Sequence, residues 1–151
     1  MELPHDTAIV IADGRKLLFL RNAGDARYPD LRLELKRDAG ENPPTHEQAT
    51  DLAGRAMGTR VAGGQWGSGT IEPADYHQIA EDRFAAEAAA MLNAGALAGE
   101  FERLVVVAPP ETLGELRRHY DRHLTERLAS EIAKDLTRHT IPEIEKLLLA
   151  E

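Results

Sequence analysis

The run Leu104-Val-Val-Val-Ala108, stopped at once by Pro109-Pro110, constrains this 151-residue chain more than any other stretch. Five consecutive apolar residues, three of them β-branched, read as a strand buried on both faces. Pro110 suits the first position of a helix, where no backbone N–H is needed. Leu113, Leu116 and Tyr120 then follow at i, i+3 and i+7, one face of that helix. A strand hidden on both sides needs neighbours in its sheet and cover above and below. The remaining elements must therefore pack around it.

The flanking sequence offers those neighbours. Thr7 to Ala12 and Leu17 to Leu20 are two strand-like runs joined by Asp13-Gly14, a hairpin signal that predicts a type I′ turn with positive φ at both central positions. Leu31, Leu33 and Leu35 alternate with Arg32, Glu34 and Lys36, the pattern of a half-exposed strand whose charged face would protect a sheet edge. From Pro73 to Asn93 the pattern is helical. Tyr76, Ile79, Ala80, Phe84, Ala88, Met91 and Leu92 form its apolar face, and Asn93-Ala-Gly95 and Gly99 are its expected stop. Thr140 and Glu143 have capping-box spacing and Pro142 is a helix-start residue, so Ile141, Ile144, Leu147 and Leu148 predict a C-terminal helix. Between these, Leu124, Leu128, Ile132 and Leu136 recur every four residues. They fit one long helix to about residue 137, or a shorter helix followed by a strand over 129–135. The outline is an α/β sandwich around a mixed sheet, in a single domain spanning 1–151.

Residues 38–72 are less patterned. Thr45 and Gln48 suggest a short helix over about 45–57. Gly58, Gly63, Gly64, Gly67 and Gly69 follow closely and predict a mobile Gly-rich loop over about 58–72. Trp66, the chain's one tryptophan, either anchors this loop to the core or is exposed as a binding residue. The run lacks the Lys and Ser/Thr of a P-loop.

Charge and composition exclude several classes. The chain has no cysteine, so thiol and disulfide chemistry are absent. No apolar run approaches the roughly 20 residues of a membrane span, and the N-terminal sequence has no secretory pattern, so a cytoplasmic location is expected with no membrane partner. The net charge of −8 is uneven: residues 61–102 carry seven acidic side chains and only Arg83. An acidic protein is a poor non-specific binder of nucleic acid, because affinity for phosphate comes mainly from Lys and Arg.

Candidate chemistry is sparse. Asp13, at the end of the first strand, stands where a nuclease metal carboxylate would, although the turn itself accounts for it. His119 and His123 are spaced to share a helix face and ligate zinc, with His139 the nearest third ligand, but the Glu of an H-E-x-x-H motif is missing. Arg117, Arg118, Arg122 and Arg127 form a local concentration of positive charge that could touch an anion or RNA. They are interleaved with Glu115, Asp121 and Glu126, so ion pairs at helical spacing are the simpler account. The helix start at Pro109-Pro110-Glu111-Thr112 lies where ligands bind in open α/β sheets, but Glu111 would itself occupy the helix dipole. No Ser–His–Asp set or nucleophile elbow exists, and no catalytic residue is assigned.

Several of these stretches together resemble a bacterial family called "protein required for attachment to host cells". They are Ile9-Val-Ile-Ala-Asp-Gly14, Arg83-Phe-Ala and its Ala-rich helix, Gly99-Glu-Phe-Glu-Arg-Leu-Val-Val-Val-Ala-Pro-Pro110, Leu113-Gly-Glu-Leu-Arg117 and Lys134-Asp-Leu-Thr137. The resemblance covers nearly the whole chain outside about 38–70. That family is grouped with bacterial relatives of the archaeal–eukaryotic release factors and Pelota, and is similar to their middle domain. The resemblance implies a ribonuclease-H-like fold with a mixed five-stranded sheet and helices on both faces, and a strand over about 129–134. With no catalytic pattern in the residues and no cofactor expected, the first reading is a non-enzymatic binding domain, for which the resemblance suggests ribosomes or RNA as partners. The family's name implies instead a role, here an indirect one, in attachment to host cells. Gly63-Gly64-Gln65 spells the tripeptide with which release factors promote peptidyl-tRNA hydrolysis, so a hydrolase using Gln65 or Asp13 is the enzymatic alternative. The acidic surroundings of Gln65 and its separation from the following helix speak against it.

Overall fold

The computed structural model describes residues 1–39 and 73–151. The expected helix over 45–57, the Gly-rich loop, Trp66 and Gly63-Gly64-Gln65 lie outside the described residues. The elements are β1 (Ala8–Ala12), β2 (Lys16–Asn22), β3 (Leu31–Asp38), α1 (Pro73–Leu97), β4 (Leu104–Ala108), α2 (Pro110–Arg117), α3 (Arg122–Arg127), β5 (Leu128–Ala133) and α4 (Ile141–Leu149). The strands form one mixed five-stranded sheet in the order β3-β2-β1-β4-β5. β1, β2 and β3 are successive antiparallel neighbours, whereas β4 is parallel to both β1 and β5.

β4 is flanked on both sides and each of its five residues is buried, as the apolar run requires. Alternation along β1 and β4 sends side chains into two cores. Ala8, Val10, Ala12, Leu104, Val106 and Ala108 meet Ala85, Ala88, Ala89, Leu92 and Ala96 of α1, with Leu113 and Leu116 of α2 and Leu124 of α3. Ile9, Ile11, Val105 and Val107 face the other way, onto Leu3, Leu18, Leu20, Ile132, Leu136 and Ile144 and Leu148 of α4. Small residues on both α1 and β1 leave room for a 25-residue helix to lie close to the sheet, while the α4 side is filled by larger branched chains.

Several details depart from expectation. The β1–β2 hairpin closes on Gly14-Arg15, with the Asp13 N–H donating to Lys16 O at 2.9 Å. Neither Asp13 nor Gly14 has positive φ. In place of a type I′ turn, the Asp13 carboxylate accepts the Arg15 and Lys16 N–H groups, both at 2.7 Å, an Asx-type closure that needs no left-handed residue. In β3 the pairing shifts register between Phe19 and Leu20, so Leu35 opposes Phe19 but Leu33 opposes Leu20. The bulge puts these two leucines on opposite faces and both are exposed, instead of forming one apolar stripe.

α1 runs past Asn93 and Gly95, the first part of the expected stop, to Leu97. Gly95 lies inside the helix, where a Cβ would come within 2.9 Å of the Glu100 side chain and 3.1 Å of Phe101, so its role is close packing and not a stop. The helix is ended by Gly99, at φ 73°. Its buried face is Ala85, Ala88, Ala89, Leu92 and Ala96, one stripe of helical period. Tyr76, Ile79 and Ala80 are exposed, because the first turns of α1 reach beyond the sheet cover formed by the described residues. The long helix to residue 137 does not form. α2 ends at Arg117, Asp121 caps α3 by accepting the Leu124 N–H at 2.9 Å, and the chain turns into β5 at Leu128. The four-residue recurrence had a different cause: Leu124 serves the α1 face, and Ile132 and Leu136 the α4 face.

Asn22, fully buried at the end of β2, stitches the lower end of the fold. Its Nδ2 donates to Leu3 O at 2.6 Å, and its Oδ1 accepts the Gly24 and Asp30 N–H groups, each at 2.9 Å. Asn22→Ala strands those backbone groups and should cost about 2–4 kcal/mol in urea denaturation. Val106→Asp should prevent soluble folding, because it buries a carboxylate with nothing to pair it. A soluble, cooperatively melting Val106→Asp protein would show that β4 is not interior.

Candidate functional site

The parallel strands β1, β4 and β5 end on one side of the sheet, where ligands bind in open α/β sheets. The loop after β5, in the Lys134-Asp-Leu-Thr137 motif, brings Thr137 against Asp13 at the end of β1. The Thr137 Oγ1 lies 2.9 Å from Asp13 Oδ2 and 3.0 Å from Asp135 Oδ1. One hydroxyl has one proton, so it donates to a single carboxylate at a time and ties the β1 and β5 ends together through either. Asp135 Oδ1 also accepts the Thr137 N–H at 3.3 Å, which shapes the loop. Both oxygens of Asp13 thus have partners inside the protein. Asp135 and Thr137 carry no catalytic pattern in sequence; their Asp-x-Thr spacing is a local turn signal, and only the fold gives it a distant partner.

Above this end, the Glu81 side chain of α1 lies against Gly14, where a Cβ would come within 2.7 Å of it. A side chain at position 14 would require the Glu81 side chain to move aside. The start of α2 carries Glu111 in its first turn, and the Leu113 N–H is taken up by Pro109 O at 2.8 Å. Among the described residues, no group of three or more His, Asp or Glu side chains is arranged to hold a metal ion.

The two histidines singled out by spacing do not share a helix face. His119 lies beyond the end of α2 and contacts Glu115 Oε1 at 3.2 Å, while His123 belongs to α3. The turn between the helices breaks the four-residue relation. His139 is elsewhere, with its Nδ1 2.9 Å from Glu143 Oε2 at the start of α4.

The arginines are largely neutralised. Arg118 pairs with Glu115 and Arg122 with Glu126, the local pairs expected. Arg117 reaches across to β5, its Nε 3.1 Å from both oxygens of Glu131, and Arg127 donates to the His123 carbonyl at 2.9 Å. Asp121 is spent on capping. Asn93 clamps the turn from below, donating to His119 O at 2.8 Å and accepting the Asp121 N–H at 3.1 Å.

Glu131 also accepts the half-buried Tyr120 hydroxyl at 3.4 Å. Burial, reinforced by the Glu131 charge, raises the Tyr120 ionisation well above the ordinary tyrosine range, against a smaller opposing pull from Arg117. A tyrosine whose folded ionisation is raised stabilises the fold fully below its unfolded value of about 10 and loses that contribution as pH rises further. Stability of the wild-type protein should therefore fall more steeply above pH ~10 than that of Tyr120→Phe, measured by urea midpoints. Equal slopes would show that the tyrosine is not held neutral.

A shallow cleft of about 450 Å³ opens between β2, β3 and the second half of α1. Arg21 crosses it, with its guanidinium 5.7 Å from the Phe19 ring centre and bonded to Glu34. Its apolar base, Phe19, Leu92 and Phe101, is already buried in the core and leaves little surface for a ligand.

The geometry assigns Asp13 a structural task. Asp13→Asn keeps an Oδ1 acceptor for the turn and should retain near wild-type stability. Asp13→Ala orphans the turn amides and should lose about 1–3 kcal/mol by thermal or urea melting. Equal stability of the three proteins would remove the turn assignment.

The sequence model of bacterial archaeo-eukaryotic release factor family 12 matches residues 6–148, from the residues leading into β1 to the last turn of α4. No curated protein matches the chain. The match bears out the release-factor side of the resemblance read from the Val-Val-Val-Ala-Pro-Pro and Lys-Asp-Leu-Thr stretches. The chain belongs to bacterial archaeo-eukaryotic release factor family 12.

Proposed function

We propose that this protein is a non-enzymatic binding domain that works with the translation machinery in the cytoplasm, through contact with ribosomes or their RNA. The observation that carries this reading is membership of a release-factor family over nearly the whole length of the chain. The sheet order β3-β2-β1-β4-β5, with β2 antiparallel and β4 and β5 parallel to β1, supports a ribonuclease-H-like fold of the release-factor middle-domain kind. The partners found for Asp13 support a binding role over a hydrolytic one. Its carboxylate accepts two turn amides and a threonine hydroxyl, as a structural residue does. A part in attachment of bacteria to host cells, which the resembled family's name carries, would on this reading be indirect and follow from an effect on translation.

Co-sedimentation of the purified protein with ribosomes across a salt series tests the proposal. A ribosome-bound fraction is expected at low salt, decreasing steadily as salt rises. No bound fraction even at the lowest salt would contradict a translation role.

A further inference from the structure

Among the described residues, one group of cations without salt bridges lies away from the stretch where the sequence concentrates positive charge. Arg117, Arg118 and Arg122 of the α2–α3 region are each paired with a glutamate. At the opposite edge of the sheet, four cations gather where β2 begins and β3 ends: Arg15, Lys16, Lys36 and Arg37. They are brought together by the antiparallel register, in which Lys16 opposes Asp38, Leu17 opposes Arg37 and Leu18 opposes Lys36, while the Ala39 N–H donates to Arg15 O at 2.8 Å. Lys16 and Lys36, diagonal neighbours on one face, lie about 7 to 8 Å apart. None of the four takes part in a salt bridge among the described residues.

These cations serve both faces of the sheet edge. Leu17 belongs to the α1 core, so Arg37 opposite it points to that side; Leu18 belongs to the α4 core, so Lys36 points to the other. Arg15, Lys36 and Arg37 are exposed and Lys16 is half-exposed. Of the carboxylates nearby, Asp13 is turned to the hairpin amides and Thr137, Asp38 is half-buried with an interaction of its own, and Glu81 lies against Gly14.

We propose that this β2–β3 corner is an RNA-contacting surface, with Arg15, Lys16, Lys36 and Arg37 gripping successive phosphates of the backbone. The proposal rests on the translation reading above and specifies its contact surface. Cations on adjacent strands with no salt bridge among the described residues suit a chain of phosphates, because each phosphate neutralised releases a condensed counterion, and a sheet edge lets a backbone pass along both faces. Contacts of this kind fix position without reading sequence.

The test compares three full-length proteins for binding to purified ribosomes across a salt series: wild type, Lys36→Glu/Arg37→Glu, and Arg118→Glu/Arg122→Glu. Unchanged far-ultraviolet circular dichroism is expected of both variants, since all four side chains are exposed. Lys36→Gln/Arg37→Gln supplies a milder second version of the corner change. The corner reversal should weaken low-salt binding roughly tenfold or more and reduce the log–log salt slope by about 1.5 to 2, while the α2–α3 reversal leaves both close to wild type. Wild-type binding that survives both corner variants would overturn this assignment and leave the translation role standing. Absence of wild-type binding would overturn both.

Discussion

The parallel pairing of β1 with β4 dictates how the other elements are placed. Ala8, Ile9, Val10 and Ile11 run beside Leu104, Val105, Val106 and Val107, and all eight are at least 98% buried. Each fully buried valine, leucine or isoleucine contributes about 1.5–3 kcal/mol relative to exposure, so this pair is the densest source of stability in the fold. It also dictates topology. Parallel neighbours cannot be joined by a tight turn, so the chain must leave the sheet after β3 and return through a long crossover, whose last part is α1. Both faces of the pair are apolar, so a layer is needed on each. α1, α2 and α3 supply one, and α4 with the segment around Leu3 supplies the other.

The elements whose pattern has a single cause were legible from sequence. Leu104–Ala108 could only be an interior strand, and Thr140, Pro142 and Glu143 mark the start of α4, where Thr140 Oγ1 accepts the Glu143 N–H. Where one pattern serves two structures, periodicity alone cannot choose between them. Leu124, Leu128, Ile132 and Leu136 mimic a helix stripe, yet they are shared between two cores on opposite sides of the sheet, a division that only the register with β4 creates. β3 is the edge strand its alternation predicts, but a bulge leaves no trace in alternation, and it sends Leu33 and Leu35 to opposite faces. The resemblance of Lys134-Asp-Leu-Thr137 to a family motif restored the strand before it, where periodicity had pointed to helix.

The same distinction governs the candidate site. Sequence marks residue types, but not whether their charge or lone pairs are already taken. Asp13 looks like an available carboxylate and is occupied by Arg15, Lys16 and Thr137. Arg117 looks like surface charge and reaches 14 residues along the chain to Glu131. Arg15, Lys16, Lys36 and Arg37 look like ordinary strand-end and turn residues, and antiparallel register brings them to one corner of the sheet, on its two faces. What a polar residue offers a partner is what remains after the fold has used it.

Native-state hydrogen exchange of the amides reads the standing of the β1–β4 pair strand by strand. The amides of β1 and β4 should exchange only through global unfolding, with one common free energy equal to that from urea denaturation, while those of the edge strands β3 and β5 exchange faster. Exchange in β4 as fast as in β3 would contradict an organisation built around the β1–β4 pair.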